Sequence, residues 1–124
     1  MSESLETASC VQARELVVPV QTLPTELVVT GTPRAGSVTL GRFGEIEVGV
    51  WEHSAGASTD SEVDEVFIVI DGCATIEFIT PPAPTMTVSV GDIVRLAAGM
   101  QTRWTINERL RKVYLIAADE HRAE

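Results

Sequence analysis

Every second residue carries the apolar pattern in this chain. In "EIEVGVWEH", Ile46, Val48 and Val50 fall on one side of an extended backbone, while Glu45, Glu47, Gly49, Trp51 and His53 fall on the other. Strand side chains alternate across two faces, whereas a helix repeats its apolar residues three and four positions apart, so this spacing predicts a half-buried strand. "SVTLGRF" and "TMTVSV" alternate likewise, and "EVFIVIDG" is apolar on both faces, as in a strand covered from both sides. Asp71-Gly72 predicts a two-residue hairpin into "CATIEFIT", and Gly91-Asp92 a tight turn into "IVRLAA". "TRWTIN" and "RKVYLIAA" read as two further strands. "TPPAPT" reads as a loop, because proline has no amide proton to give to a strand ladder. "ELVVPV" and "TELVVT", broken by Pro19 and Pro24, suit edge or irregular strands. No segment repeats, and only the two ends of the chain have any helical potential. Many short strands with regular turns indicate an all-β sandwich or barrel.

With 124 residues, the chain suits one domain that can bury a core without disulfides or a structural metal. Its 44% hydrophobic and 22% charged residues are globular proportions. The expected division is a flexible leader over 1–15, a β-domain over 16–118 and a charged tail over 119–124. No apolar run approaches the ~20 residues that span a bilayer. "MSESLETASC" lacks the basic and apolar regions of a secretory signal. Cys10 and Cys73 make a poor disulfide framework, so two reduced thiols in a cytoplasmic protein are expected.

The net charge of −9 argues against nucleic acid as a partner, since nucleic-acid binding needs clustered Lys and Arg. Nine carboxylates and no Lys or Arg lie between Glu45 and Glu77, while five basic residues and one acid lie between Arg95 and Lys112. Neighbouring strands whose exposed faces pair across a sheet account for this asymmetry without a binding patch.

"STDSEVDEVFIVIDG" concentrates carboxylates, with Asp60, Glu62, Asp64 and Glu65 ahead of a hydrophobic strand that ends at Gly72. The order Trp51, Gly56, "DEVFIVIDG", "VGDIVRLAAGMQTRW" and "RKVYLI" resembles the cupin superfamily over about residues 36 to 118. It is most similar to the small single-domain cupins related to (S)-ureidoglycine aminohydrolases and ethanolamine-utilisation proteins. The resemblance implies a jelly-roll barrel, also called a double-stranded β-helix. It also implies a place for three histidines and a glutamate around a metal. Glu65 and Gly72 match that pattern, but the first two histidine places fall in "STDS", around Ser58 to Ser61. The second block is Gly91, Ala97, Gly99 and Thr102, with threonine at the last histidine place. One carboxylate with hydroxyls holds a transition metal poorly, so no metal or other cofactor is expected. A weaker divalent-metal site drawing on His53, Asp60 and Glu65 stays open as the alternative. His53 also has an ordinary role as a strand-end residue near the surface.

The resemblance places the motif side chains in the barrel mouth, and alternation extends the assignment. Glu65, Phe67 and Val69 then point inward, as do Thr102, Trp104 and Ile106, with Arg103 outside. Lys112, Tyr114 and Ile116 share a face that the resemblance turns inward. The expected ligand pocket is walled by Trp51, Phe67, Thr102 and Trp104, with Glu65, Lys112 and Tyr114 as candidate catalytic groups. Core packing of the aromatics, with Glu65 and Lys112 neutralising each other and Tyr114 capping the pair, explains the same residues without a ligand. A polar cluster at one depth tips the reading toward a pocket, because buried polar groups are costly in an ordinary core.

Two functions follow. One is a metabolite-binding barrel; the other is a hydrolase- or isomerase-type enzyme with Glu65 as acid, base or residual metal ligand. No Ser-His or Cys-His nucleophile, phosphate-binding glycine loop or dinucleotide fingerprint is visible in the sequence. The expected partners are a small molecule and a second copy of the chain, paired through "ELVVPV" and "TELVVT", with no membrane.

Overall fold

A computed structural model describes residues 5–117; residues 1–4 and 118–124, including His121, lie outside the described residues. The elements are β1 (Gln21–Thr22), a 3-10 turn (Thr25–Leu27), β2 (Val28–Thr30), β3 (Arg34–Phe43), β4 (Ile46–Ser61), β5 (Glu65–Thr80), β6 (Ala83–Ser89), β7 (Ile93–Leu96) and β8 (Gln101–Ala117). The described residues contain no α-helix. The strands pair antiparallel in the order β1-β3-β4-β8-β5-β6, with β2 added to β4 and β7 to β5. Alternating apolar residues thus make a nearly all-β domain.

Three long strands replace the expected short ones. β5 does not reverse at Asp71-Gly72 but bends there and continues, because both its halves pair with the same neighbour. Glu65–Val69 runs beside Ile116–Lys112, and Thr75–Thr80 beside Thr105–Gln101. Gly72 permits the bend: its φ is +80°, and a β-carbon there would lie 1.7 Å from the Arg109 carbonyl oxygen. "TRWTIN" and "RKVYLIAA" are likewise one strand, β8. β4 runs on through "STDS", with its register shifting between Ser54 and Gly56. These irregularities fall at one level, opposite residues 107–108 of β8. Bulges increase local twist, so all three strands turn together and fold the sheet onto itself.

The proline-rich loop shrinks to a turn at Pro81–Pro82, and Pro84 already lies in β6. This is tolerated because β6 ends the sheet, where one side of the strand has no ladder to complete. "ELVVPV" forms no strand. Its Val18 is buried against Leu40 and Val50, joined by Val11, Leu16 and Val113. Residues 5–15, expected as a leader apart from the domain, are tied to it as well. The Leu5 amide donates to the Leu40 carbonyl at 2.8 Å, and Arg111 Nη1 donates to the Ala13 and Leu16 carbonyls at 2.9 and 2.7 Å. The apolar outer face of β3, β4 and β8 draws this segment down.

The larger core lies inside the folded sheet, around Phe67, Val69, Ile76, Leu96, Trp104 and Leu110. Trp104 comes from one half of β8, yet its ring lies 5.6 Å from Phe67 and 5.7 Å from Trp51, which belong to the other half of the sheet. The candidate site is built on this interior.

Candidate functional site

β8 is central, and its register positions the site. Lys112 stands opposite Trp51 of β4 and Val69 of β5; Trp104 stands opposite Ser58 and Ile76; Thr102 stands opposite Asp60 and Phe78. Lys112 Nζ reaches Glu65 Oε2 at 2.9 Å, with both side chains buried. The same ammonium lies 4.1 Å from the Phe67 ring centroid, 4.6 Å from Trp51 and 4.8 Å from Trp104. Ring faces carry partial negative charge, so three of them plus a carboxylate compensate the desolvated cation. The expected Glu65–Lys112 partnership therefore exists, enclosed by the expected aromatic wall.

Tyr114 belongs elsewhere. Its hydroxyl donates to Glu47 Oε2 at 3.1 Å, not to the pair. Burial raises its pKa above the ordinary value, with the Thr39 hydrogen bond opposing the shift. Gly49 stands opposite it and makes the room, since a β-carbon there would meet the Tyr114 ring at 2.3 Å. Thr102 and Trp104 instead meet a residue that the sequence offered only as one of a run of carboxylates, not as part of the site. Glu62 Oε2 accepts from Thr102 Oγ1 at 2.6 Å and from Trp104 Nε1 at 3.0 Å. Glu62 is buried although it follows the polar end of β4. No periodicity signals a carboxylate that turns inward from a connecting segment.

His53 is the second departure. It is 1% exposed and lies within β4, not at a strand end near the surface. Nδ1 lies 2.6 Å from the Ser54 carbonyl oxygen, and Nε2 lies 2.9 Å from Ser58 Oγ. A carbonyl only accepts, so Nδ1 carries the proton and Nε2 of the neutral ring accepts the Ser58 hydroxyl. Burial pulls the His53 pKa below 6.5; the Ser54 hydrogen bond opposes this and the Lys112 charge reinforces it. Strict alternation would put residues 53 and 58 on opposite faces. The bulge between Ser54 and Gly56 changes the parity and brings them together.

Beside this pair opens a cavity of about 130 Å³, lined by Leu27, Trp51, His53, Ser58, Asp60 and Trp104. Of the expected pocket residues, Trp51 and Trp104 line it. Phe67 and Lys112 are packed with these two rings. Thr102 adjoins the cavity through its bond to Trp104 Nε1.

The model of the EutQ-like cupin domain matches residues 40–114, which includes β4, β5 and most of β8. The chain belongs to the EutQ-like cupin family. Among solved structures, this cupin is similar to EutQ of Clostridium difficile, with 19% identity, a TM-score of 0.61 and coverage of 81% of this chain and 82% of that one. It is also similar to a Salmonella typhimurium ethanolamine-utilisation protein, with 13% identity, a TM-score of 0.55 and 71% of each chain covered. A conserved Streptococcus pyogenes protein of unknown function aligns over 94% of this chain and 95% of its own, with 18% identity and a TM-score of 0.62. At these identities the likeness is one of fold. No functionally curated protein matches the chain significantly.

The interior of this cupin does not fit the transition metal that the superfamily pattern implies. Glu65 faces the Lys112 ammonium, whose charge repels a second cation. Thr102, at a histidine place, gives its hydroxyl to Glu62. Both His53 nitrogens are engaged. Among the described residues, no three His, Cys, Asp or Glu side chains are grouped to hold an ion.

Proposed function

We propose that this cupin binds a small polar molecule in the cavity beside Trp51 and Trp104, within a jelly-roll barrel and without a transition metal. The observation that carries this reading is the cavity itself, which sets two indole rings beside the His53–Ser58 pair and Asp60. Apolar walls with a few convergent polar groups are the usual composition of ligand sites. Its volume of about 130 Å³, counted as space for the centres of water-sized spheres, far exceeds the roughly 10–15 Å³ that one water needs on that measure, so there is room for a small molecule. Glu65 and Lys112 in this reading hold the aromatic wall in place and do no chemistry, being engaged with each other. A cytoplasmic homodimer completes the proposal. Its edge-pairing argument is weakened, because 16–20 form no strand and β2 is already paired with β4. Sedimentation velocity at micromolar concentration is expected to show the dimer, and a lone monomer species contradicts it.

Both tryptophans of the chain line the cavity, so intrinsic fluorescence reports on it directly. Short alkanolamines, hydroxy acids and amides are suitable probes. Ethanolamine is included because the Salmonella neighbour is an ethanolamine-utilisation protein. At least one probe is expected to shift the emission saturably and raise the melting temperature in parallel. An emission spectrum indifferent to every probe at millimolar concentration would sink the binding reading.

A further inference from the structure

The His53–Ser58 pair has the arrangement of an activated nucleophile. The hydroxyl donates to Nε2 at 2.9 Å, and the opposite ring nitrogen is anchored on the Ser54 carbonyl at 2.6 Å. Nucleophilic serines need such a base within hydrogen-bond reach and a third group that fixes its orientation. Here the third group is a backbone carbonyl, held by β4 next to the bulge. Both side chains line the cavity. Burial lowers the His53 pKa, which keeps the base unprotonated at neutral pH. A serine placed only to complete a strand does not require a buried histidine on its hydroxyl. Solvating that histidine elsewhere avoids the cost of its desolvation.

We propose that Ser58 and His53 form a catalytic dyad that transfers short acyl groups from esters to water. Ser58 Oγ attacks the acyl carbonyl carbon while His53 Nε2 takes the hydroxyl proton. The tetrahedral adduct collapses, the bond to the leaving alkoxide breaks, and the alkoxide takes the proton from Nε2. Water then attacks the acyl-serine, again losing a proton to Nε2, and Ser58 Oγ leaves with that proton. The net reaction turns an ester and water into an acid and an alcohol, with no further reactant. The proposal rests on the cavity being open to ligands.

The test is 4-nitrophenyl acetate with the full-length chain. A stoichiometric burst of nitrophenolate is expected, with an acetyl group on the peptide that carries Ser58. Lys112, the chain's one lysine, is enclosed, but Cys10 and Cys73 are exposed thiols that this ester also acylates, so both are alkylated with iodoacetamide beforehand; the terminal amine and His121 are the remaining competing nucleophiles. Ser58→Ala should abolish the burst, and His53→Gln should slow it by about a hundredfold or more, the usual worth of a general base. Circular dichroism establishes that each variant is folded; should Ser58→Ala not fold, the site of acetylation in the wild type decides the matter. Acetyl groups confined to the cysteines, His121 or the terminal amine overturn the dyad. N-methylacetamide, an unreactive isostere, separates the two proposals by its effect on tryptophan emission. Saturable binding without acylation of Ser58 overturns the dyad and leaves the binding reading standing. Neither binding nor acylation overturns both.

Discussion

At the scale of single residues, buried charge and its compensation dominate. Lys112 keeps its ammonium inside only because Glu65 and three ring faces surround it. Lys112→Met leaves the Glu65 carboxylate buried without that partner and should cost about 3–5 kcal/mol. Adding Glu65→Leu to the same chain should return stability to the wild-type level or above it, since two well-packed apolar groups bring no desolvation cost. Urea midpoints of the single and double variants check this, and an equally unstable double variant would contradict it. His53 supplies a pH signature. Its folded pKa lies below 6.5, so the unfolded chain binds a proton that the folded chain refuses. Its contribution is full above the unfolded value and is lost as pH falls from about 6.5 toward the folded value, at no more than about 1.4 kcal/mol per pH unit. His53→Gln should flatten the stability profile in that window and leave the profile above it unchanged, as denaturant titrations at several pH values would show. The inward set of Glu65, Phe67, Thr102, Trp104 and Lys112 was legible once the cupin resemblance fixed which face turns inward, since counting in twos extends that face along an uninterrupted strand. His53 with Ser58 was not, because a bulge resets the count between them.

At the scale of elements, the N-terminal segment is the unexpected one. Composition marks 1–15 as polar, yet Val11, Ala13 and Leu16 pack beside Val18 on the outer face of the sheet. Arg111 fastens the segment by donating to two of its carbonyls and to Glu52 Oε1 at 2.9 Å. Arg111→Ala removes these charge-assisted bonds and should cost about 3 kcal/mol. Hydrogen exchange should show faster exchange of the amides around residues 11–18, while those of β5 keep their protection. Uniform loss across the sheet would mean that Arg111 stabilises the whole domain and not this element. The strand bends belong to the same scale. Asp71-Gly72 carries a hairpin's residues but makes a bend, because β8 is long enough to pair with β5 on both sides of it.

At the scale of the whole molecule, the long strands set the folding problem. β4 pairs with β8 from Ile46 against Ala117 to Ser61 against Gln101, so the central ladder joins distant parts of the chain. Loop closure must precede such contacts, which slows folding into the range of about milliseconds to seconds. Stopped-flow dilution from urea, followed by the emission of Trp51 and Trp104, should give its main phase in that range. Completion within microseconds would contradict a transition state built on this ladder.

The sequence by itself determined the β class and which residues share a face within each uninterrupted stretch, because alternation is a local property. The cupin resemblance turned the face of Glu65, Phe67, Trp104 and Lys112 inward, and among the acidic chain's carboxylates the structure chose Glu65 for the buried Lys112. The tertiary structure alone decided which strands are continuous, where residues 5–20 lie, and that His53 meets Ser58 beside a cavity. Each of these depends on a neighbouring strand or on a bulge that shifts the register. Neither the bulge nor the pairing is written in the pattern of any single segment.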